Sequence, residues 1–227
     1  MFIKWKSSQI VFTIWALLAL LILLPVTILL KGSFPIFTGL WIIVPLIAVW
    51  RTKNVSLVGF RTVPWRQLIQ VTAINLGGLL AIMLVFEPWS HTYQKLLVLV
   101  LSSQAPDTTF AWLLRFPKIP ALGAMTLYSG LVTLFGEELF FRGWLLQLLQ
   151  KRLGTIWAVV LQALLFSVPN LLVAFALPLL QGSLYILIYT WLGIGMLGGW
   201  AASRTRSIWP SLVSATLCNL VLVILIL

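Results

Sequence analysis

Acidic residues are nearly missing from this 227-residue chain, which holds four of them (Glu87, Asp107, Glu137 and Glu138) against fifteen Lys and Arg. Charged residues make up 8% of the sequence and hydrophobic ones 61%, with a mean hydropathy of +1.09. A soluble fold with so little charge cannot cover its surface, and a disordered chain needs the opposite composition. There is one cysteine, Cys218, which excludes an internal disulfide and reads as a small buried filler in the apolar C-terminal run. There is one histidine, His91, in a polar stretch that reads as solvated. One histidine and one distant cysteine do not supply a zinc shell, so neither a metal nor another cofactor is expected. The net charge of +11 sits in ones and twos between apolar runs, without a dense basic stripe carrying interleaved aromatics, which argues against nucleic acid as a partner. Short cytoplasmic loops of membrane proteins collect Lys and Arg, and that explains the charge better. What remains is an all-α fold, a polytopic membrane helical bundle with lipid as its constant partner.

The apolar runs give its spans. Ile10 to Leu30 is 21 residues without a charge, enough at 1.5 Å per residue to cross a hydrocarbon core of about 30 Å. Lys31-Gly32-Ser33 lacks a small-x-small cleavage pattern, so the run reads as a first span rather than a signal peptide. Lys4 and Lys6 before it favour a cytoplasmic N-terminus. Phe34 to Trp50 returns, and the basic loop with Arg51, Lys53, Arg61 and Arg66 should be cytoplasmic. Leu68 to Phe86 is a third span, ending in Glu87-Pro88-Trp89-Ser90-His91. Phe110 to Phe116 reads as a helix on or re-entering the membrane. After Ile119 to Gln150 come Ile156 to Val168, Leu171 to Leu180, Leu184 to Trp200 and Ile208 to Leu227. The expectation is seven or eight transmembrane helices in two parts, 1–118 with the basic loop and interfacial helix, and 119–227 as a core. Several tryptophans, among them Trp5, Trp41, Trp50, Trp65, Trp89 and Trp209, fall near span ends, where an amphipathic ring settles at the interface.

Chemistry concentrates in Phe135-Gly136-Glu137-Glu138-Leu139-Phe140-Phe141-Arg142-Gly143-Trp144. An ionised carboxylate in hydrocarbon costs about 3 kcal/mol even on the lenient insertion scale, so two in succession demand partners or a polar cavity. Arg142 follows Glu138 by four residues and Glu137 by five, one helical turn beyond both, and can pair with at least one. The other glutamate is then free to act, for instance as a general base on a water. A structural ion cluster or a snorkelling interfacial patch is the alternative.

The string Gly136-Glu137-Glu138-Leu139-Phe140-Phe141-Arg142-Gly143 resembles the first motif, E-E-x-x-x-R, of the CPBP intramembrane proteases, the family of type II CAAX prenyl endopeptidases and bacteriocin-processing enzymes. Val58-Gly59-Phe60-Arg61 is similar to the family's lead-in loop, and Ser207-Ile208-Trp209-Pro210 to the one before its last helix. The resemblance implies a CPBP-like core in 119–227 and a glutamic-type hydrolase acting as an intramembrane endopeptidase. By it Glu137 is the base, Glu138 and Arg142 its support, and Asn219 an oxyanion donor. It also places Asn170 and Ala215 where the family has histidines. Asn170 can donate a hydrogen bond but cannot relay a proton, and Ala215 can do neither.

Three readings of function stay open. The first is an active endopeptidase cutting C-terminal or prenylated peptides. The second is a degenerate or low-activity relative, a pseudoenzyme that binds a lipidated or membrane-bound protein. The third is a small transporter with Glu137 and Glu138 lining a polar path. Without a recognisable transit segment, the expected location is a bacterial-type plasma membrane, with a thylakoid membrane as the alternative.

Overall fold

The computed structural model describes residues 34–95 and 135–226, and every long element among them is helical. The run Ile10–Leu30, the interfacial helix at Phe110–Phe116, Trp5 and Asp107 lie outside the described residues. Helix α1 spans Phe34–Thr52, close to the expected Phe34–Trp50. Its last turn is closed by Thr52, whose hydroxyl donates to the Ala48 carbonyl (2.8 Å), and Lys53 then turns the chain with φ 54°. Asn54 accepts from the Ser56 N–H (3.0 Å), capping a single 3₁₀ turn at Val55–Val58. Helix α2 spans Trp65–Ser90, after Pro64, and stops at His91, whose φ of 52° breaks the helical path.

Helices α3 (135–153) and α4 (155–176) follow each other directly, and Gly154 between them has the non-helical φ 74° and ψ 173°. Phe141 and Phe166 would be about 37 Å apart on a straight helix. Their ring centroids are 5.3 Å apart. Leu146 likewise packs with Ala158. The two helices are therefore antiparallel arms of a hairpin, and glycine holds the turn because a side chain is strained at that φ. The sequence places this break correctly, after Lys151-Arg152. It misplaces the next one. Ile156–Val168 and Leu171–Leu180 are not separate segments: α4 runs through Pro169 to Ala176 and breaks at Leu177–Pro178. The Asn170 side chain donates to the Phe166 carbonyl (3.0 Å) and Ser167 to that of Ala163 (3.0 Å), so side chains bond carbonyls on either side of the gap left by the proline. Helix α5 is Leu179–Thr205 and α6 is Trp209–Ile226.

Among the described residues, three stretches are long and apolar enough to cross a membrane, Trp65–Ser90, Phe135–Leu171 and Leu179–Thr205, the second being most of the α3–α4 hairpin. Leu84, Phe175 and Leu179 are all exposed, as side chains facing lipid are. The chain is a membrane protein with an all-helical fold. Charge is sorted along the bundle. Gly78 of α2 meets Leu197 while Ser90 meets Gln181, so α2 and α5 are antiparallel. Ala202 meets Ala158, so α5 also ends where α4 begins. Arg66, Lys151, Arg152, Arg204 and Arg206 thus share one end, and a bond from Ser207 Oγ to the Arg61 carbonyl (3.2 Å) ties the basic loop to it. This is the end that the positive-inside rule assigns, as an expectation, to the cytoplasmic side.

Trp50, Trp65 and Trp89 are exposed at helix ends as expected, and Trp209 is partly so. Trp41 is not. It is buried with its ring edge-on to Phe141 at 5.7 Å, part of the aromatic core that packs α1 on the hairpin. Cys218 is buried beside Leu79, Met83 and Tyr189, the filler its surroundings predict.

Candidate functional site

Two segments of π-helix face the centre of the bundle, Glu138–Leu145 on α3 and Tyr185–Leu197 on α5. A π turn closes over five residues, and such turns are rare and frequently found at functional sites. Here the wide turn brings Arg142 over the same face as both Glu137 and Glu138, where an α-helix would stagger position i+5 away. Glu138 and Arg142 are buried, with Arg142 Nε 3.6 Å from Glu138 Oε1. The guanidinium also donates through Nη2 to the Ile194 carbonyl (2.7 Å) on the facing π segment. Its carbon lies 3.9 Å from the centre of the Phe166 ring, a cation–π contact that takes up charge no oxygen reaches. Ser211 of α6 sits beside the same pair, and Gly198 makes room: a Cβ there would lie 2.7 Å from Ser211 Oγ and 3.4 Å from Arg142 Nε.

Glu137 is half-buried one residue earlier and makes no ion pair or hydrogen bond among the described residues. Arg142 and Glu138 act on it only through their charges. The Tyr185 hydroxyl donates to Asn170 Oδ1 (3.0 Å), and Thr190 Oγ1 donates to the Tyr185 carbonyl (2.7 Å). Glu137, Glu138 and Arg142 thus lie together on α3, and Asn170 lies one turn beyond Phe166, whose ring carries the Arg142 guanidinium. Asn219 is half-buried on α6 and shares no hydrogen bond with that group among the described residues, and Ala215 is buried. Ser214 donates to the Pro210 carbonyl (2.8 Å) and accepts from Asn75 of α2, while Thr216 donates within its own helix to Leu212 (2.8 Å). His91 is exposed.

The motif's flanks meet at the same place. Gly143 lies against the backbone of Val58, where an added Cβ would come within 2.7 Å of the Val58 carbonyl carbon. Ile208 N–H in turn donates to the Gly59 carbonyl (3.2 Å). The lead-in loop, the E-E-x-x-x-R helix and the start of α6 are therefore one packed unit.

Sequence reasoning missed Tyr185, which hydropathy counts as one more apolar residue in a span. Its signal was the pair Tyr185 and Tyr189 at i, i+4 with Thr190 beside it. It also missed a second polar group, where Glu87 accepts from the Tyr189 hydroxyl (3.0 Å) and from the backbone N–H groups of Tyr93 (3.0 Å) and Gln94 (3.1 Å). That carboxylate caps the short helical turn after His91.

A buried ion pair with an unpaired carboxylate beside it, inside a bundle of apolar helices, defines a membrane protein with a polar site within its spans. Residues 119–221 match the family model described as type II CAAX prenyl endopeptidase Rce1-like. That segment holds the E-E-x-x-x-R string, and through it the second half of the chain is similar to the CPBP family. No curated protein and no solved structure matches the chain.

Proposed function

We propose that this CAAX-protease-like membrane protein binds a lipidated or membrane-bound protein at Glu137 and cleaves it slowly or not at all. The observation that carries this reading is the division of labour between the two glutamates. Glu138 is committed to Arg142, while Glu137 is half-buried and without a partner among the described residues. A carboxylate left open in a span is a place for a ligand. The low activity follows from what surrounds it. Proton transfer needs a group that exchanges protons near neutral pH, and the chain's one histidine is exposed and unconnected to Glu137. Asn170 has both ends of its amide engaged, by Phe166 and Tyr185. In this reading Glu138, Arg142 and Asn170 support Glu137, and Asn219 contributes from α6.

The second reading, an active endopeptidase of C-terminal or prenylated peptides, is favoured by the retained Glu137–Glu138–Arg142 group. In either case the chain has seven or eight spans, divided at residue 118, in a bacterial-type plasma membrane. The test is photo-crosslinking of S-farnesylated and unprenylated peptides to the purified protein in lipid nanodiscs. Binding reading: the farnesylated peptide is captured by the wild type and lost in Glu137→Ala. Capture that Glu137→Ala leaves unchanged overturns it, and Glu137-dependent ion flux in proteoliposomes would replace it with a transporter.

A further inference from the structure

Two arginines far apart in sequence, Arg61 and Arg206, meet where α6 begins. Ser207 Oγ donates to the Arg61 carbonyl (3.2 Å) and Ile208 N–H to the Gly59 carbonyl (3.2 Å), so the two stretches of backbone lie next to each other. Arg206 ends α5 in a left-handed turn, with its side chain exposed. Arg61 is half-buried, and its Nε is sealed from water without a hydrogen-bond partner among the described residues. A buried guanidinium N–H is costly until an acceptor reaches it. No carboxylate serves either arginine, since Arg142 is the one described cation in an ion pair. Two neighbouring guanidinium groups fit the oxygens of a phosphate, which accept their parallel N–H donors.

From this point α6 turns an apolar stripe outward. Trp209, Val213 and Leu217 are spaced by four and so stand one above another, each 39–40% exposed. Ser207, Ser211 and Ser214 take the buried inner face of the same stretch. Trp65, four residues after Arg61, is exposed, and the Trp209 ring rests against Phe60 at 5.8 Å. Such rings settle at headgroup depth and set the arginines there. A phosphate site at the bundle end with an apolar stripe leading into the span matches the two halves of a phospholipid. We infer that Arg61 and Arg206 hold the phosphate of an anionic phospholipid whose acyl chain lies along Trp209, Val213 and Leu217. Arg66 and Arg204, exposed at the same end, repel the cation of a zwitterionic headgroup and favour an anionic one such as phosphatidylglycerol. Scattered loop cations orient a chain without holding any one lipid; here hydrogen bonds between two distant segments fix the positions. The site is independent of the binding reading at Glu137.

Native mass spectrometry of the full chain, released from detergent micelles in about 0.15 M ammonium acetate, counts bound phosphatidylglycerol and phosphatidylcholine. Wild type should bind phosphatidylglycerol about tenfold more tightly or better, and Arg61→Gln/Arg206→Gln should remove that preference, the value of a charge-assisted hydrogen bond or more. Lys151→Gln/Arg152→Gln takes the same charge from the same end and should cost less than about threefold, because exposed charges are screened at this salt. Equal losses in the two double variants would reduce the effect to diffuse surface charge and overturn the inference, as would equal binding of the two lipids by wild type. Glycerol phosphate in millimolar excess, a headgroup without chains, should leave the lipid in place. Displacement would make the ligand a free phosphate and overturn the lipid assignment. Should tryptophan fluorescence melts show that Arg61→Gln/Arg206→Gln does not fold, Arg206→Gln alone carries the comparison against Lys151→Gln, since its side chain is exposed; equal losses there overturn the inference in the same way.

Discussion

Replacing Gly143 with alanine tests the packing around the motif, because helix propensity and tertiary structure predict opposite signs there. Alanine is better than glycine in a helix interior by about 0.5–1 kcal/mol. Gly77 on α2 should show that gain, since a Cβ added there meets nothing within 4 Å. At Gly143 the new methyl meets the Val58 backbone, with the carbonyl carbon at 2.7 Å and Cα at 3.2 Å. Backbone cannot rotate away as a flexible side chain would. The Val58–Gly59 loop must move, and it is tied through the Gly59 carbonyl to Ile208 (3.2 Å) and through the Arg61 carbonyl to Ser207 (3.2 Å). Overpacking typically costs ~1–3 kcal/mol, and with backbone as the obstacle the upper end applies, leaving a net loss of about 2–2.5 kcal/mol after the propensity gain. In a chain of this size that lowers the melting temperature by roughly 4–10 °C. Gly77→Ala should raise it by roughly 1–4 °C. Tryptophan fluorescence melts in a single detergent measure both. A Gly143→Ala protein as stable as Gly77→Ala would refute the claim that the lead-in loop is packed on the motif helix.

Two further outcomes follow from the charges. Glu138→Leu or Arg142→Leu alone strands a buried charge and should cost ~3–5 kcal/mol, whereas the double substitution should cost clearly less than the sum, since the pair leaves together; additive losses in denaturation would contradict the pairing. Because Cys218 is 3% exposed and the single native cysteine, new cysteines can be labelled cleanly. Arg152→Cys and Arg204→Cys should react with a membrane-impermeant maleimide only from the cytoplasmic side and Gln94→Cys only from the other, and labelling of all three from one side would sink the topology.

Periodicity and hydropathy served well where the physics is local. The bounds of α1 and α2, the break after Lys151-Arg152 and the pairing of Arg142 with a glutamate all follow from runs and spacings. The failures came from partners distant in sequence. Pro169 reads as a stop until the side chains of Ser167 and Asn170 are seen bonding nearby carbonyls. Trp41 reads as an interface anchor until α1 is packed on Phe141. The motif strings identified the glutamate–arginine group, but nothing in them announced Tyr185, whose role depends on Asn170 fifteen residues earlier. Nor does one sequence reveal the π turns, which depend on how α3 and α5 face each other.

The central claim is that Glu137 holds a membrane-bound peptide without an efficient partner for proton transfer. Mass spectrometry of S-farnesylated and unprenylated peptides after incubation with the wild type, Glu137→Ala and Asn170→His/Ala215→His proteins tests it most directly. Intact peptide with the wild type, alongside Glu137-dependent capture of the farnesylated form and new cleavage products from the double-histidine protein, is the expected result. Rapid cleavage by the wild type that disappears in Glu137→Ala would contradict it and make this an active protease.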